Sequence, residues 1–184
     1  LTLPNGKSAK LGKLVSWTEL DDPDFKYFSG TATYDLRGLS EGLRARENDR
    51  VYLNLGEVKN LAEVTVNGKT YPVLWKPPFR LDITSSLAPN TQSLTPKPLS
   101  ISVKVTNLWP NRLIGDDFKP EDCEWKSARG GIKEIPQWVK AGKPSPSGRT
   151  TFTTWKHWTK EDQLLPSGIL GPVRLERTSV VSDR

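Results

Sequence analysis

A dense group of carboxylates in the second half of the chain is the first candidate for chemistry. Asp116 and Asp117 are adjacent, and Glu121, Asp122 and Glu124 follow closely. A glycosidase needs two carboxyl groups roughly 5–9.5 Å apart, on opposite sides of the bond that it cleaves. Neighbouring residues rarely flank a sugar in that way. The alternatives are contacts with a cation or with sugar hydroxyls, and loop capping or salt bridges.

Tryptophans in loop-like sequence are the second candidate, because a large apolar ring in a loop needs a reason to be there. Sugars present apolar C–H faces that stack on aromatic rings, while their hydroxyls bind polar side chains. Anchoring of the loop is the alternative role. Trp17, Trp75 and Trp109 lie at strand ends and are expected to pack in or at the rim of the core. The four candidate carbohydrate contacts are Trp125, Trp138, Trp155 and Trp158.

The positive charge is concentrated around these four tryptophans. The chain carries a net charge of +6, and the window 125–160 alone carries +7 because Glu134 is its one acidic residue. Such a window favours an acidic ligand, such as a polymer of rhamnose and uronic acid. Single-stranded nucleic acid would also suit a basic, aromatic surface, but no nucleic-acid-binding signature accompanies it, so no nucleic-acid partner is expected. The basic residues are Lys126, Arg129, Lys133, Lys140, Lys143, Arg149, Lys156 and Lys160.

Metal and thiol chemistry have few candidates. Asp21, Asp22 and Asp24 offer the hard oxygen ligands that calcium prefers, although Asp-Pro sequences are also common in plain turns. Cys123 is the only cysteine and His157 the only histidine. The sequence therefore excludes an intrachain disulfide and any site built on several histidines, and leaves a structural calcium ion as the one metal prediction.

Short segments rich in Val, Leu, Thr and aromatic residues recur along the chain and predict β-strands. Ile101, Val103 and Val105 alternate with polar residues, as a half-buried strand requires. Asn67 and Gly68 suit a type I′ hairpin turn because both tolerate positive φ. Fifteen prolines argue against long helices. The predicted strands are 10–17, 27–35, 50–55, 62–67, 71–75, 79–83, 99–106 and 171–181.

These strands predict an all-β fold, a β-sandwich of jelly-roll type. Between residues 107 and 168 the alternation stops, and this stretch holds five of the seven tryptophans. Loops of this length are usually functional or disordered, and the tryptophans argue against disorder. Thr159 is expected to cap a short helix there. We therefore predict one domain, 1–184, with a long tryptophan-rich loop excursion before its last strand.

Several strings of residues together resemble a known domain. In order and spacing they are similar to the sugar-binding jelly roll, a galactose-binding-domain-like fold, of glycoside hydrolase family 2. The string VTNLWPNRLIGD at 105–116 resembles the version carried by α-L-rhamnosidases of glycoside hydrolase family 106. The other strings are YFSGTATY at 27–34, LNLGEV at 53–58, AEVTVNG at 62–68, PPFRLDIT at 77–84 and SGILGPV at 167–173.

The resemblance implies an accessory domain, because in such enzymes a separate barrel carries the catalytic carboxylates. It also implies that the loop after the 99–106 strand faces the substrate, which makes Asn111, Arg112 and Asp116 candidate carbohydrate contacts. The expected partners are a polysaccharide or oligosaccharide and the catalytic barrel of the same polypeptide. No catalysis by this chain alone and no required cofactor are expected.

The chain begins at Leu1 and contains no Met. We therefore expect a piece of a larger α-L-rhamnosidase-like enzyme that acts on plant or algal polysaccharide, in the bacterial periplasm or outside the cell. Two alternatives stay open: a free-standing carbohydrate-binding module for acidic polysaccharide, and a purely structural spacer. No apolar run approaches the roughly 18 residues of a membrane-spanning helix, so no membrane partner is expected.

Overall fold

The computed structural model describes residues 1–37, 49–87, 99–128 and 130–179. The chain divides into two compact units, and the excursion predicted at 107–168 supplies most of the second one. Arg129 of the basic window, and the predicted strand 171–181 beyond residue 179, lie outside the described residues. The first unit comprises Leu1–Ser16, Thr31–Asn107 and Ser167–Arg184, and the second comprises Trp17–Gly30 and Leu108–Pro166.

The first unit consists mainly of antiparallel strands, which confirms the all-β sandwich; its jelly-roll topology stays a prediction. The described strands are β1 Thr31–Leu36, β2 Asp49–Asn54, β3 Glu57–Lys59, β4 Leu61–Val66, β5 Lys69–Thr70, β6 Arg80–Asp82, β7 Ile101–Thr106, β8 Gly168–Gly171 and β9 Arg174–Ser179. They form three sheets, with the strand orders β1-β7-β4-β5, β6-β2-β9 and β3-β8. A four-residue helix, α2 (Thr84–Leu87), follows β6.

The core of the first unit follows from strict alternation along its central strands. Ile101, Val103 and Val105 of β7 are all buried, which confirms the predicted face. The facing residues of β4 and β1 are buried as well, because the register pairs Val103 with Val64 on one side and Tyr34 on the other. Each buried position thus meets another buried position across the sheet. This continuous apolar layer drives the folding of the first unit.

The hairpin turn between β4 and β5 is also confirmed. Asn67 has φ 48° and Gly68 has φ 85°, the two positive values that a type I′ turn requires. The strand predicted at 71–75 is wrong in extent: Pro72 has no N–H to donate to a ladder, and only Leu74 forms a bridge, to Ala62. The strand predicted at 10–17 is wrong, because that segment pairs with no strand in the part of the chain that the structure describes, and a 3-10 helix begins at its end, Trp17–Glu19.

The second unit has little regular structure. Among its described residues, besides the 3-10 helix, it contains three short helices and two isolated bridges, Trp125 to Ile132 and Gly131 to Trp155. The helix expected at Thr159 is absent; instead the Asp162 carboxylate accepts hydrogen bonds from the Thr159 N–H and hydroxyl, closing a turn. The helices are α1 Pro23–Lys26, α3 Pro110–Asp116 and α4 Gln137–Lys140.

Candidate functional site

Helix α3 carries the three residues that the resemblance assigned to carbohydrate contact. Asn111, in its first turn, is 1% exposed. Its Nδ2 donates to the Leu165 carbonyl over 2.8 Å, and its Oδ1 accepts from the Leu165 N–H over 2.8 Å. These bonds satisfy backbone groups that would be costly to bury unpaired. Asn111 thus ties residue 165 to the helix and acts as a positioning residue.

Asp116, at the end of the same helix, is also 1% exposed. Its Oδ2 accepts three hydrogen bonds of 2.8 Å, from the Thr150 N–H, the Thr151 N–H and the Thr151 hydroxyl. Its Oδ1 lies 3.2 Å from Arg112 Nη2 and 3.3 Å from Lys119 Nζ. Burial alone would raise the pKa of Asp116, but the hydrogen bonds and the Arg112 charge hold that pKa below its ordinary value.

Arg112 has the one partly exposed side chain of the three predicted residues on α3. Its backbone N–H donates to Ser29 Oγ over 3.2 Å, and its guanidinium pairs with Asp116 one turn later. The structure therefore places all three residues on one helix and pairs Arg112 with Asp116, but it buries the side chains of Asn111 and Asp116. Carbohydrate contact by Asn111 or Asp116 stays a prediction, and burial does not favour it.

An ionic cluster of Asp117, Glu121, Arg149 and Lys156 follows directly after α3. Lys156 Nζ lies 2.9 Å from Asp117 Oδ1 and 2.5 Å from Glu121 Oε1. Arg149 Nη2 lies 3.2 Å from Glu121 Oε2, and the guanidinium also donates to two backbone carbonyls, those of residues 119 and 120. Charge and hydrogen bonding thus fix a segment that has almost no regular backbone structure.

The carboxylates of the ionic cluster are poorly suited to acid–base catalysis. Burial opposes ionisation of Asp117 and Glu121, but hydrogen bonds and positive charges, above all those of Lys156, hold the pKa of each below its ordinary value. A glycosidase general acid needs the opposite, a carboxyl whose pKa is raised so that it carries a proton. Two ionised groups that share one ammonium supply no proton donor.

Three of the four predicted loop tryptophans line one pocket in the second unit. This tryptophan pocket is bounded by Trp125, Trp155 and Trp158, with Lys156 and His157 among its walls. Trp155 is 51% exposed and offers a ring to solvent. Trp125 donates from Nε1 to Glu121 Oε2 over 2.8 Å. Flat apolar rings and adjacent charged groups are the two features that carbohydrate sites combine.

Trp138, the fourth predicted contact, does not line the tryptophan pocket. Its Nε1 donates to the Asp122 carbonyl over 3.1 Å, and its ring packs edge-on against Phe152, with the ring centroids 5.6 Å apart. This is the anchoring role that the sequence left open for loop tryptophans. Carbohydrate contact by Trp138 therefore has no support from its surroundings.

The sequence did not predict that two further tryptophans are exposed. Trp75 is 67% exposed and Trp109 is 63% exposed, so their predicted packing is wrong, whereas Trp17 is fully buried as expected. Both exposed rings lie close to proline in sequence: Lys76 separates Trp75 from Pro77, and Pro110 follows Trp109. The sequence placed both rings at strand ends, and the neighbouring prolines, which end a strand or begin a helix, could have indicated that strand packing stops there and leaves the rings exposed.

The basic window is not an isolated positive patch, because acidic residues just before it neutralise part of it. Arg149 and Lys156 pair with Asp117 and Glu121, and Lys133 pairs with Glu124 at 3.0 Å. The second unit as a whole contains eleven basic and twelve acidic residues, and the first unit contains sixteen and nine. The positive surplus of this chain therefore belongs to the first unit.

The three aspartates predicted to bind calcium lie around helix α1. Asp22 caps this helix, and its Oδ1 accepts from the Asp24 N–H over 3.0 Å. Among the residues that the structure describes, no three His, Cys, Asp or Glu side chains are grouped to hold a metal ion. Calcium at Asp21, Asp22 and Asp24 stays a prediction that the geometry does not strengthen.

Two comparisons with known proteins find relatives along nearly the whole chain, whereas no protein-family model matches it. A Formosa agariphila protein provisionally named a β-glucuronidase is 45% identical over 166 residues, which are 90% of this chain and 14% of that protein. The structure of a rhamnosidase from Novosphingobium sp. PP1Y aligns with a TM-score of 0.61 and 29% identity, over 91% of this chain and 13% of that one.

The chain spans about one seventh of the length of these relatives. In the described residues, no helix has the length and apolar character to cross a membrane. Both relatives carry the names of glycoside hydrolases, which agrees with the family-level expectation from the sequence strings. This chain therefore matches one segment of larger glycoside hydrolases.

Proposed function

We propose that this chain is a non-catalytic, carbohydrate-contacting accessory domain of an α-L-rhamnosidase-like glycoside hydrolase, of the family 2 and family 106 jelly-roll type. The observation that carries the proposal is the tryptophan pocket, in a chain of which 91% aligns with a small segment of a rhamnosidase. The same proposal places the chain beside a catalytic barrel of one polypeptide, in the periplasm or outside a bacterial cell.

The tryptophan pocket supports sugar binding through two complementary features. The half-exposed ring of Trp155 offers a flat apolar surface on which the C–H face of a pyranose can stack. The backbone that carries this ring is held by a bridge between Gly131 and Trp155, in which the Ile132 N–H donates to the Thr154 carbonyl and the Lys156 N–H donates to the Gly130 carbonyl. A ring held in this way loses little conformational freedom when a ligand binds.

The pocket itself gives no reason to expect an acidic sugar. The positive charges of Arg149 and Lys156 are already matched by Asp117 and Glu121, and recruiting either cation to a ligand carboxylate would leave the two acids to share the one cation that remains. We therefore propose that a neutral residue such as rhamnose stacks on the Trp155 ring at the mouth of the tryptophan pocket, whose own cavity volume of about 30 Å³ is too small to enclose a sugar.

A glycan array that includes rhamnosylated and glucuronylated oligosaccharides tests the proposal on the purified 184-residue chain. We expect binding to at least one rhamnose-containing glycan, and a roughly tenfold loss of affinity in Trp155→Ala because one stacking contact disappears. Trp109→Ala is the matched control, since it removes a comparably exposed ring outside the pocket.

Two results would contradict the accessory carbohydrate-contacting role. If wild type and Trp155→Ala bind glycans with equal affinity, the pocket takes no part in binding. If the folded chain binds no glycan on the array, the structural-spacer alternative is favoured. Hydrolysis of aryl rhamnosides or aryl glucuronides by the chain alone, abolished by Asp117→Asn, would show that it is a catalyst.

A further inference from the structure

The outer face of the sheet β1-β7-β4-β5 is a second surface open to solvent, and all of its residues belong to the first unit. The alternation that buries one face leaves Thr33, Lys104 and Glu63 in one row across three strands, and Thr31, Thr106 and Leu61 in the next. Lys104 pairs with Glu63 at 3.1 Å, and the hydroxyls of Thr31 and Thr106 lie 2.7 Å apart. A third row, Asp35, Ser102 and Thr65, completes the face, which is therefore rich in hydroxyl groups and carries charges of both signs.

Trp75 extends this face at its edge. Ala62 and Leu74 exchange two backbone hydrogen bonds of 2.9 and 2.8 Å, and one step further this register sets Trp75 beside Leu61. The chain is anchored again four residues later, where Phe79 is buried and its carbonyl accepts from the Leu55 N–H. An exposed indole on backbone that is fixed on both sides is presented for contact without a large ordering cost.

Positive charge accompanies the Trp75 ring at this edge. The exposed Lys76 has its Nζ 5.0 Å from the Trp75 ring centroid. The first unit as a whole has seven more basic than acidic residues, so its field attracts anions.

We propose that this outer sheet face, with Trp75 at its edge, binds an anionic polysaccharide. A pyranose face stacks on Trp75, Lys76 pairs with a carboxylate or a sulfate ester, and the threonine hydroxyls of β1 and β7 bond to sugar hydroxyls. The core of a protein interface is instead depleted of charge and buries about 800 Å² on each partner. A row of threonines, lysine and glutamate with one large ring at its rim fits an extended sugar chain better.

Calorimetric titration of the purified chain with polygalacturonate, dextran sulfate and uncharged dextran tests this surface. The two anionic polymers distinguish carboxylate from sulfate ester as the recognised group. We expect an anionic polymer to bind and dextran not to bind, with affinity falling as salt rises. Trp75→Ala should lose about tenfold in affinity and Trp75→Phe should recover most of it, while Lys76→Gln should flatten the salt dependence.

Controls separate this surface from the tryptophan pocket and from general charge. Trp155→Ala should bind the anionic polymers as wild type does. A failure of the tryptophan pocket as a binding site can therefore be distinguished from a failure of the outer sheet face. Lys10→Gln removes an exposed lysine outside the sheet and should change little. The proposal is overturned if Trp75→Ala binds as tightly as wild type, or if dextran binds equally well. Binding to no polymer, with self-association in sedimentation that Trp75→Ala abolishes, would show a protein-docking surface instead.

Discussion

The two units of this chain are stabilised by different means. Among the described residues, the first unit buries sixteen hydrophobic side chains, whereas the second buries three, namely Trp17, Phe25 and Ile114. The second unit compensates with buried polar groups: Asn111 and Asp116 bind backbone, and the ionic cluster joins 117–121 to 149–156. Apolar burial tolerates variation in side-chain shape, whereas a buried charge requires each of its partners.

The difference predicts where a single substitution is most damaging. Val103→Asp places an unpaired carboxylate at a fully buried position in the middle of β7 and should cost about 4–5 kcal/mol of unfolding free energy. Lys104→Thr, its neighbour on the exposed face of the same strand, should cost less than about 1 kcal/mol. Urea denaturation measures both, and similar midpoints for the two variants would refute the assignment of inner and outer faces.

The second unit should be most sensitive at Asp116. Asp116→Ala leaves Arg112 and Lys119 without their buried counterion and two N–H groups without an acceptor, so we expect a loss of about 3 kcal/mol. Glu134→Ala, an exposed acid in the same unit, should change stability by less than about 0.5 kcal/mol.

The loss of stability caused by Asp116→Ala should also depend on pH. The pKa of Asp116 is lower in the folded chain than in the unfolded one, so its contribution is complete above the unfolded pKa of about 4 and disappears as pH falls through the folded value. The difference in melting temperature between wild type and Asp116→Ala should therefore narrow in acid. A constant difference from neutral pH to pH about 2 would show that the charge of Asp116 does not stabilise the fold.

The smallest expected effect is at the hairpin turn. Gly68 has φ 85° and open space around its Cα, so Gly68→Ala should cost about 1 kcal/mol through backbone strain alone. Gly12→Ala is the matched control, because its Cα also faces open space but its φ lies outside the left-handed region. Equal thermal stability of the two variants would exclude a contribution from turn strain.

The sequence predicted the first unit better than the second because alternation is a local signal. The core strands β2, β4 and β7 could be read from their residues, and so could the turn at Asn67 and Gly68. The strand 10–17 was misassigned because a strand needs a partner, and no sequence pattern shows whether a neighbouring edge is available.

The candidate site was predicted only in part, because tertiary contacts decide it. The sequence proposed Trp125, Trp155 and Trp158, and the structure groups them in one pocket. It could not show that Asp117 and Glu121, which precede the basic window, fold back on Arg149 and Lys156. The net charge of a sequence window therefore differs from the net charge of the folded region in which that window lies.

Helix α3 has a further consequence for the evolution of the second unit. Its residues Asn111 and Asp116 bind backbone 54 and 34 residues later, which divides a long excursion into nested closed loops. The closure entropy of a loop grows only with the logarithm of its length, by about 0.6 kcal/mol for each doubling. The exposed residues 141–144 can therefore accept insertions at little cost, while the helix keeps the loop ends fixed. Related chains could change the surface that they present without refolding.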